Sequence, residues 1–166
     1  PSSEEIVTTV LSKEGKPLRW VRKNDIYKFG KFTGTSTFET ALYNMAVDEM
    51  INNFEKDGTL RTGLFWGGVW TRDVSYSSLL SLSYMCPEKV RNSLEVKIDR
   101  MGRIIQDTGT GGSWPCSSDR VVWALSAWNI YLATGDMEWL QKAYPIIVKS
   151  LECDDMVVYN PQTGLY

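Results

Sequence analysis

The sequence predicts an all-α fold, with helical hairpins set side by side as part of a ring. A short extended segment precedes them and a β-hairpin follows. Three observations carry the prediction. A Gly-Gly-x-Trp unit occurs twice, at Gly67–Trp70 and Gly111–Trp114, and the two starts lie 44 residues apart. That is the length of a helical hairpin plus a long loop, and a period of this size is the mark of a repeat architecture. Each unit leads into a charged pair, Arg72-Asp73 and Asp119-Arg120, and then into an apolar helix. Connections also alternate, long before the second and fourth helices and short before the third and fifth.

Taken in order, residues 1–35 read as an extended linker. Ile6–Val10 is a candidate strand, Lys13–Pro17 a turn, and Leu18 to Phe32 alternates loosely. The helical domain covers 36–166. Ser36-x-x-Glu39 is a capping box that opens a first helix, 37–56, which Asp57-Gly58 ends. A loop holding Gly63, Trp66, Gly67 and Gly68 leads to a second helix at 71–85. Pro87 starts a third, 87–101, with Val90, Leu94, Ile98 and Met101 on one face, and Gly102 stops it. The fourth, 118–134, is apolar nearly all round, and such a helix is expected to be buried on several sides. Gly135 closes it. Asp136 caps a fifth, 137–152, whose stripe is Trp139, Leu140, Ala143, Tyr144, Ile147 and Leu151. Met156–Tyr159 reads as a strand, Asn160–Gly164 as a turn and Leu165-Tyr166 as a returning strand.

Helices one, three and five have charged outer faces, whereas two and four are apolar and carry small residues such as Ser75, Ser78, Ala124 and Ala127. This is the pattern of an inner ring wrapped by an outer one. The long loops then gather at the N-termini of the inner helices, where unpaired N–H groups favour a polar pocket. The chain stops inside a hairpin and after an outer helix. The expected fold is therefore incomplete, with the remainder of the domain as a partner and exposed apolar surface along helices two and four.

Composition restricts the chemistry. The chain has no histidine, which removes Ser-His-Asp and Cys-His catalysis and the usual zinc sites from what it does alone. Carboxylate, lysine, tyrosine and cysteine remain for proton transfer. Cys86, Cys116 and Cys153 form no C-x-x-C pair, and their odd number argues against a fully paired disulfide framework. A net charge of −2 gives no nucleic-acid footprint. No run approaches the ~18 apolar residues of a membrane span, and no signal-peptide pattern opens the chain. The compartment stays open, and a secreted or periplasmic one is compatible. No metal or cofactor is called for. The seven tryptophans stand out, because aromatic rings stack on sugar faces as well as filling cores.

Chemistry concentrates in Trp70-Thr71-Arg72-Asp73. A guanidinium fork beside a carboxylate offers donors and acceptors together, and vicinal sugar hydroxyls need both. The competing reading is a helix-start Asp stabilising its own helix and an Arg in a surface salt bridge. The echo at Trp114 and Asp119-Arg120 favours the pocket. Gly109–Gly112 lacks the Gly-Lys-Ser/Thr of a phosphate loop and reads as a flexible loop. Asp154-Asp155 reads as solvated.

Gly68-Val69-Trp70-Thr71-Arg72-Asp73 resembles the W-x-R-D signature of the six-hairpin glycosidases. That (α/α)6-toroid group includes glucoamylases, glycogen-debranching enzymes and processing α-glucosidases. Ser117–Arg120, on through Trp123 and Tyr131 to Ala133–Asp136, is similar to the next hairpin of debranching-enzyme-like members. Asn160-x-x-Thr163-Gly164-Leu165-Tyr166 is similar to the hairpin ahead of a further active-site loop. The resemblance spans roughly 36–166. It implies part of an exo-acting glycoside hydrolase, with Arg72, Asp73 and Trp70 on the terminal sugar and the catalytic acid and base beyond Tyr166. With the residue reading, Trp66, Trp70, Arg72, Asp73, Trp114, Asp119 and Arg120 form the expected substrate-binding set for an oligo- or polysaccharide. Two carboxylates would flank the bond, and inversion rests on the resemblance alone. The alternatives are a non-catalytic carbohydrate-binding or regulatory toroid, and a sugar epimerase or polysaccharide lyase, which commonly uses the histidine missing here.

Overall fold

A computed structural model describes residues 2–106 and 118–166. They form two compact units, divided between Asn53 and Phe54.

The first unit joins a β-hairpin to a helix. Strands β1 (Glu5–Leu11) and β2 (Pro17–Val21) pair antiparallel, with Glu5 opposite Val21 and Val7 opposite Arg19, and the register shifts before Leu11 meets Pro17. Gly15, at φ 76°, makes the left-handed turn between them. Helix α1 (Thr37–Asn52) starts at the expected capping box, in which Ser36 and Glu39 each accept a backbone N–H of the other. Its buried face centres on Asp48, a fully buried carboxylate. Asp48 accepts Trp20 Nε1 at 3.0 Å, Asn24 N and Nδ2 at 2.8 Å each, and Lys23 N at 3.2 Å. Burial alone would raise the pKa of this carboxyl. The hydrogen bonds outweigh burial and hold it below the ordinary aspartate value.

The second unit is helical. Helix α2 (Thr71–Ser77) passes through a π-helical turn, Ser78–Leu82, into α3 (Ser83–Met85). Pro87 opens α4 (Pro87–Glu95), a 3-10 turn covers Ser118–Val122, and α5 (Trp123–Thr134) and α6 (Met137–Val157) follow. The core gathers Val90 and Leu94 of α4, Trp123, Ala127 and Ile130 of α5, and Trp139 and Ala143 of α6. Both buried indoles find a carbonyl: Trp123 Nε1 donates to Leu94 O and Trp139 Nε1 to Ala127 O, each at 2.9 Å. Arg91 of α4 pairs with Asp136, the N-cap of α6, and lies over the Trp139 ring. Pro145 sits inside α6 on its exposed side. A proline supplies no N–H, so the Gln141 carbonyl lacks its helical donor. No helix among the described residues is long and apolar enough to cross a membrane.

This overturns the all-α toroid. The expected first outer helix, α1, groups with a two-stranded sheet in a unit of its own, so the hairpin series loses its first member and no ring of inner and outer helices is supported. A capping box and an apolar period specify a helix, but they do not say what it packs on. Here Asn44 and Asp48 choose the β-hairpin segment through polar bonds, Asn44 Nδ2 donating to Ser3 O. The C-terminal β-hairpin is corrected too. Helix α6 runs on through Val157, and only an isolated bridge joins Asn160 to Leu165. The burial of Asp154 carries the helix past the point where its β-branched residues would favour a strand. The third helix is shorter than expected. It stops at Glu95, and Ile98 bridges Ile104 around a turn held by Asp99. Helix α5 buries one side only; Leu125, Trp128 and Leu132 are exposed, as are Leu79, Leu80 and Tyr84 on the α2–α3 rod.

Candidate functional site

The site is built where the loop before α2 hands over to the helix. Val69 is buried, and its carbonyl accepts the buried Lys97 ammonium at 2.9 Å. Thr71 is fully buried: its N–H donates to Gln106 O at 2.9 Å and its hydroxyl to Ile105 O. These bonds tie the start of α2 to the 104–106 segment and leave its next residue, Arg72, pointing outward. Arg72 Nη1 donates to Asp119 Oδ2 at 3.0 Å, with the two side chains 53% and 41% exposed. Gln106 Nε2 reaches the same oxygen at 3.4 Å. The charged pairs that follow the two Gly-Gly-x-Trp units therefore contribute one residue each to a single ion pair.

Two residues before Arg72 in the chain, a tryptophan stack forms. Trp66 and Trp70 stack with centroids 6.3 Å apart and planes 12° from parallel. Trp70 is the residue immediately before α2, in extended conformation. Asp73, half-buried in the first turn of α2, makes no hydrogen bond or ion pair with the described residues. Arg72 has thus taken its carboxylate from Asp119, and Asp73 keeps its acceptor oxygens for another donor. Trp114, Cys116 and the Gly109–Gly112 loop lie outside the described residues.

Arg120 departs from expectation. It is 1% exposed and pairs with Asp154, itself buried. It has no face toward a ligand, and Asp154 is no solvated acid. In a 3-10 turn, neighbouring side chains diverge by about 120°. Ser118–Val122 is such a turn, so Asp119 faces out while Arg120 faces in. Gln106 is the residue that sequence reasoning missed. It is buried, it braces Asp119, and its Oε1 has no hydrogen-bond partner among the described residues. A lone glutamine in an irregular segment, 13 positions from the Asp119 it braces, carries no period or motif by which to find it.

Among the described residues no cluster of His, Cys, Asp and Glu is placed to hold a metal ion. At the start of α2 the chain thus carries an exposed guanidinium and carboxylates, directly after one of two stacked indoles. Comparison with protein-family models, curated proteins and solved structures finds no match to this chain.

Proposed function

We propose that this chain binds the terminal sugar of an oligo- or polysaccharide, as part of an exo-acting glycoside hydrolase. The observation that carries the reading is the convergence of Arg72 and Asp119, one from each repeat, beside the stacked Trp66 and Trp70. Arg72 donates to adjacent hydroxyls, Asp73 accepts from them, and the indoles take the apolar ring face. Asp119 orients Arg72 and is braced by Gln106. The acid and base of hydrolysis are not assigned to these residues. The W-x-R-D resemblance supports the hydrolase half of the proposal. The competing reading, a binding module without turnover, is favoured by one feature: Asp119 is engaged as a structural acceptor rather than held ready for proton transfer.

The test is titration of the chain with mono-, di- and trisaccharides of glucose, galactose, mannose and rhamnose, followed by NMR of the tryptophan indole N–H signals. Binding that shifts the indole signals and fails in Arg72→Ala supports the reading. Absence of binding to the whole set, or binding indifferent to Arg72, overturns it. Hydrolysis of the same saccharides by the chain alone would show that Asp73 or Asp119 has been given the wrong role.

A further inference from the structure

The loop ahead of the site ends in three consecutive large apolar residues that are almost entirely in water. Leu64 is 70% exposed, Phe65 92% and Trp66 61%. Single exposed apolar side chains are ordinary on a protein surface, but a contiguous group of them marks a contact. This turn is built to hold them out. Gly63 and Trp66 exchange both backbone hydrogen bonds, at 3.2 and 3.1 Å, and Thr62 N donates to Gly68 O at 3.2 Å. Arg61 braces the turn from below: its Nε donates to Gly63 O at 3.1 Å and its Nη2 to Leu64 O at 3.4 Å. Glu55 pairs with the same guanidinium at 3.5 Å. The backbone carrying Phe65 is therefore fixed by bonds on both sides, and an ordered platform loses little freedom when something settles on it.

We propose that Phe65, with the outer face of Trp66, is a second sugar platform. It takes the apolar face of the ring next to the one gripped by Arg72 and Asp73. The inference rests on the carbohydrate reading above and adds residues to it. Continuity selects the occupant. Trp66 stacks on Trp70, and Trp70 abuts Thr71-Arg72, so the exposed aromatic surface begins where the polar grip ends. Chemistry sets what the platform reads. Phe65 has no polar atom, so it contacts the C–H face of a pyranose and is indifferent to most hydroxyl configurations. The platform thus selects for chain length, and identity is left to Arg72 and Asp73.

The experiment uses the whole chain and the saccharide set named above, with Phe65→Ala, Trp66→Ala, Phe65→Tyr and Arg72→Ala. Phe65 and Trp66 are exposed, so the alanine variants keep the native far-UV circular dichroism. The expected result is a loss of several-fold to about tenfold in trisaccharide affinity for both alanine variants. Monosaccharide affinity stays unchanged in Phe65→Ala and falls in Trp66→Ala, whose indole also serves the first sugar, and Phe65→Tyr behaves as the original. Arg72→Ala weakens mono- and trisaccharides alike. An equal effect of Phe65→Ala on both lengths, or no effect on either, overturns the platform and leaves the sugar site standing. Failure of every saccharide to bind removes the site and the platform together. Phe65-dependent binding to phosphatidylcholine vesicles, without any effect on sugars, also overturns it and assigns the turn to a lipid surface.

Discussion

Two ion pairs in the helical unit use the same kinds of side chain to opposite ends. Arg72–Asp119 stands half in water, whereas Arg120–Asp154 is sealed in the interior, with its side chains 1% and 6% exposed. Asp119 and Arg120 are sequence neighbours, yet each belongs to a different pair. In the outer pair, solvent screens the attraction and the side chains keep bonding capacity for a ligand. In the inner pair, each charge depends on the other, because leaving water is costly and only a close partner offsets it. The same Arg and Asp chemistry can therefore stay open to solvent or hold a fold, and burial decides which.

The comparison breaks most visibly at Asp154. Asp154→Ala leaves Arg120 buried and uncompensated, and a loss of about 3–5 kcal/mol is expected in urea unfolding. Replacing both partners, as Arg120→Met with Asp154→Leu, should recover most of that loss; a double variant as unstable as the single one would mean that the pair is not what Asp154 contributes.

Asp48 sharpens the comparison from the other unit, as a buried acid satisfied by N–H donors instead of an arginine. Asp48→Ala is expected to cost about 1.5–3 kcal/mol, read as early loss of the hairpin and α1 signals in thermal unfolding followed by NMR. Its folded-state pKa lies below the unfolded one. The stability it contributes is thus fully present above the unfolded value near 3.9, and is lost as pH falls through the folded value. A unit whose stability stays flat as pH falls below about 4 would contradict this assignment.

At the outer pair the order reverses. Arg72→Ala should change stability by no more than about 1 kcal/mol. It should cost sugar binding about 1.5–3 kcal/mol, measured by calorimetric titration. Asp73→Asn, which exchanges two acceptor oxygens for an amide, is expected to weaken binding with the unfolding curve unchanged, and Asp119→Asn to do so more mildly. The smallest effect belongs to Gln106→Leu. It removes the brace on Asp119 together with the unpaired Oε1, so unfolding should shift by less than about 1.5 kcal/mol in either direction.

Local signals in the sequence translate directly. The Ser36/Glu39 box, Pro87, Gly135 and Asp136 act through their own backbone neighbours, and each marks an element end in the structure. What the sequence did not disclose is partnership. Nothing local tells α1 to join a β-hairpin, because that choice is made by Asp48 bonding across 24 to 28 positions. Trp70–Asp73 and Asp119 stand out in the sequence through the repeat, and the structure brings Arg72 and Asp119 into one ion pair. The inward turn of Arg120 was not legible, since the partner that draws it inside, Asp154, lies 34 positions away. Gln106 was invisible for the same reason as Asp48: its role is a distant contact.

Pro145 gives α6 an uneven resistance to opening. The helix is pinned near its start by Asp136, which accepts Trp139 N and pairs with Arg91, and near its end by Asp154 on Arg120. Between these anchors one rung of the helical ladder is missing, and the exposed Gln141 carbonyl is left to water. Opening fluctuations are therefore expected to start in the middle of the helix, between fixed ends. An apolar groove of about 560 Å³ between Trp128 and Tyr144 lies along this stretch. Amide exchange is expected to be faster around Ile146–Val148 than at Ala143 or Ser150. Uniform protection along α6 would show that the two anchors stiffen the helix across the gap.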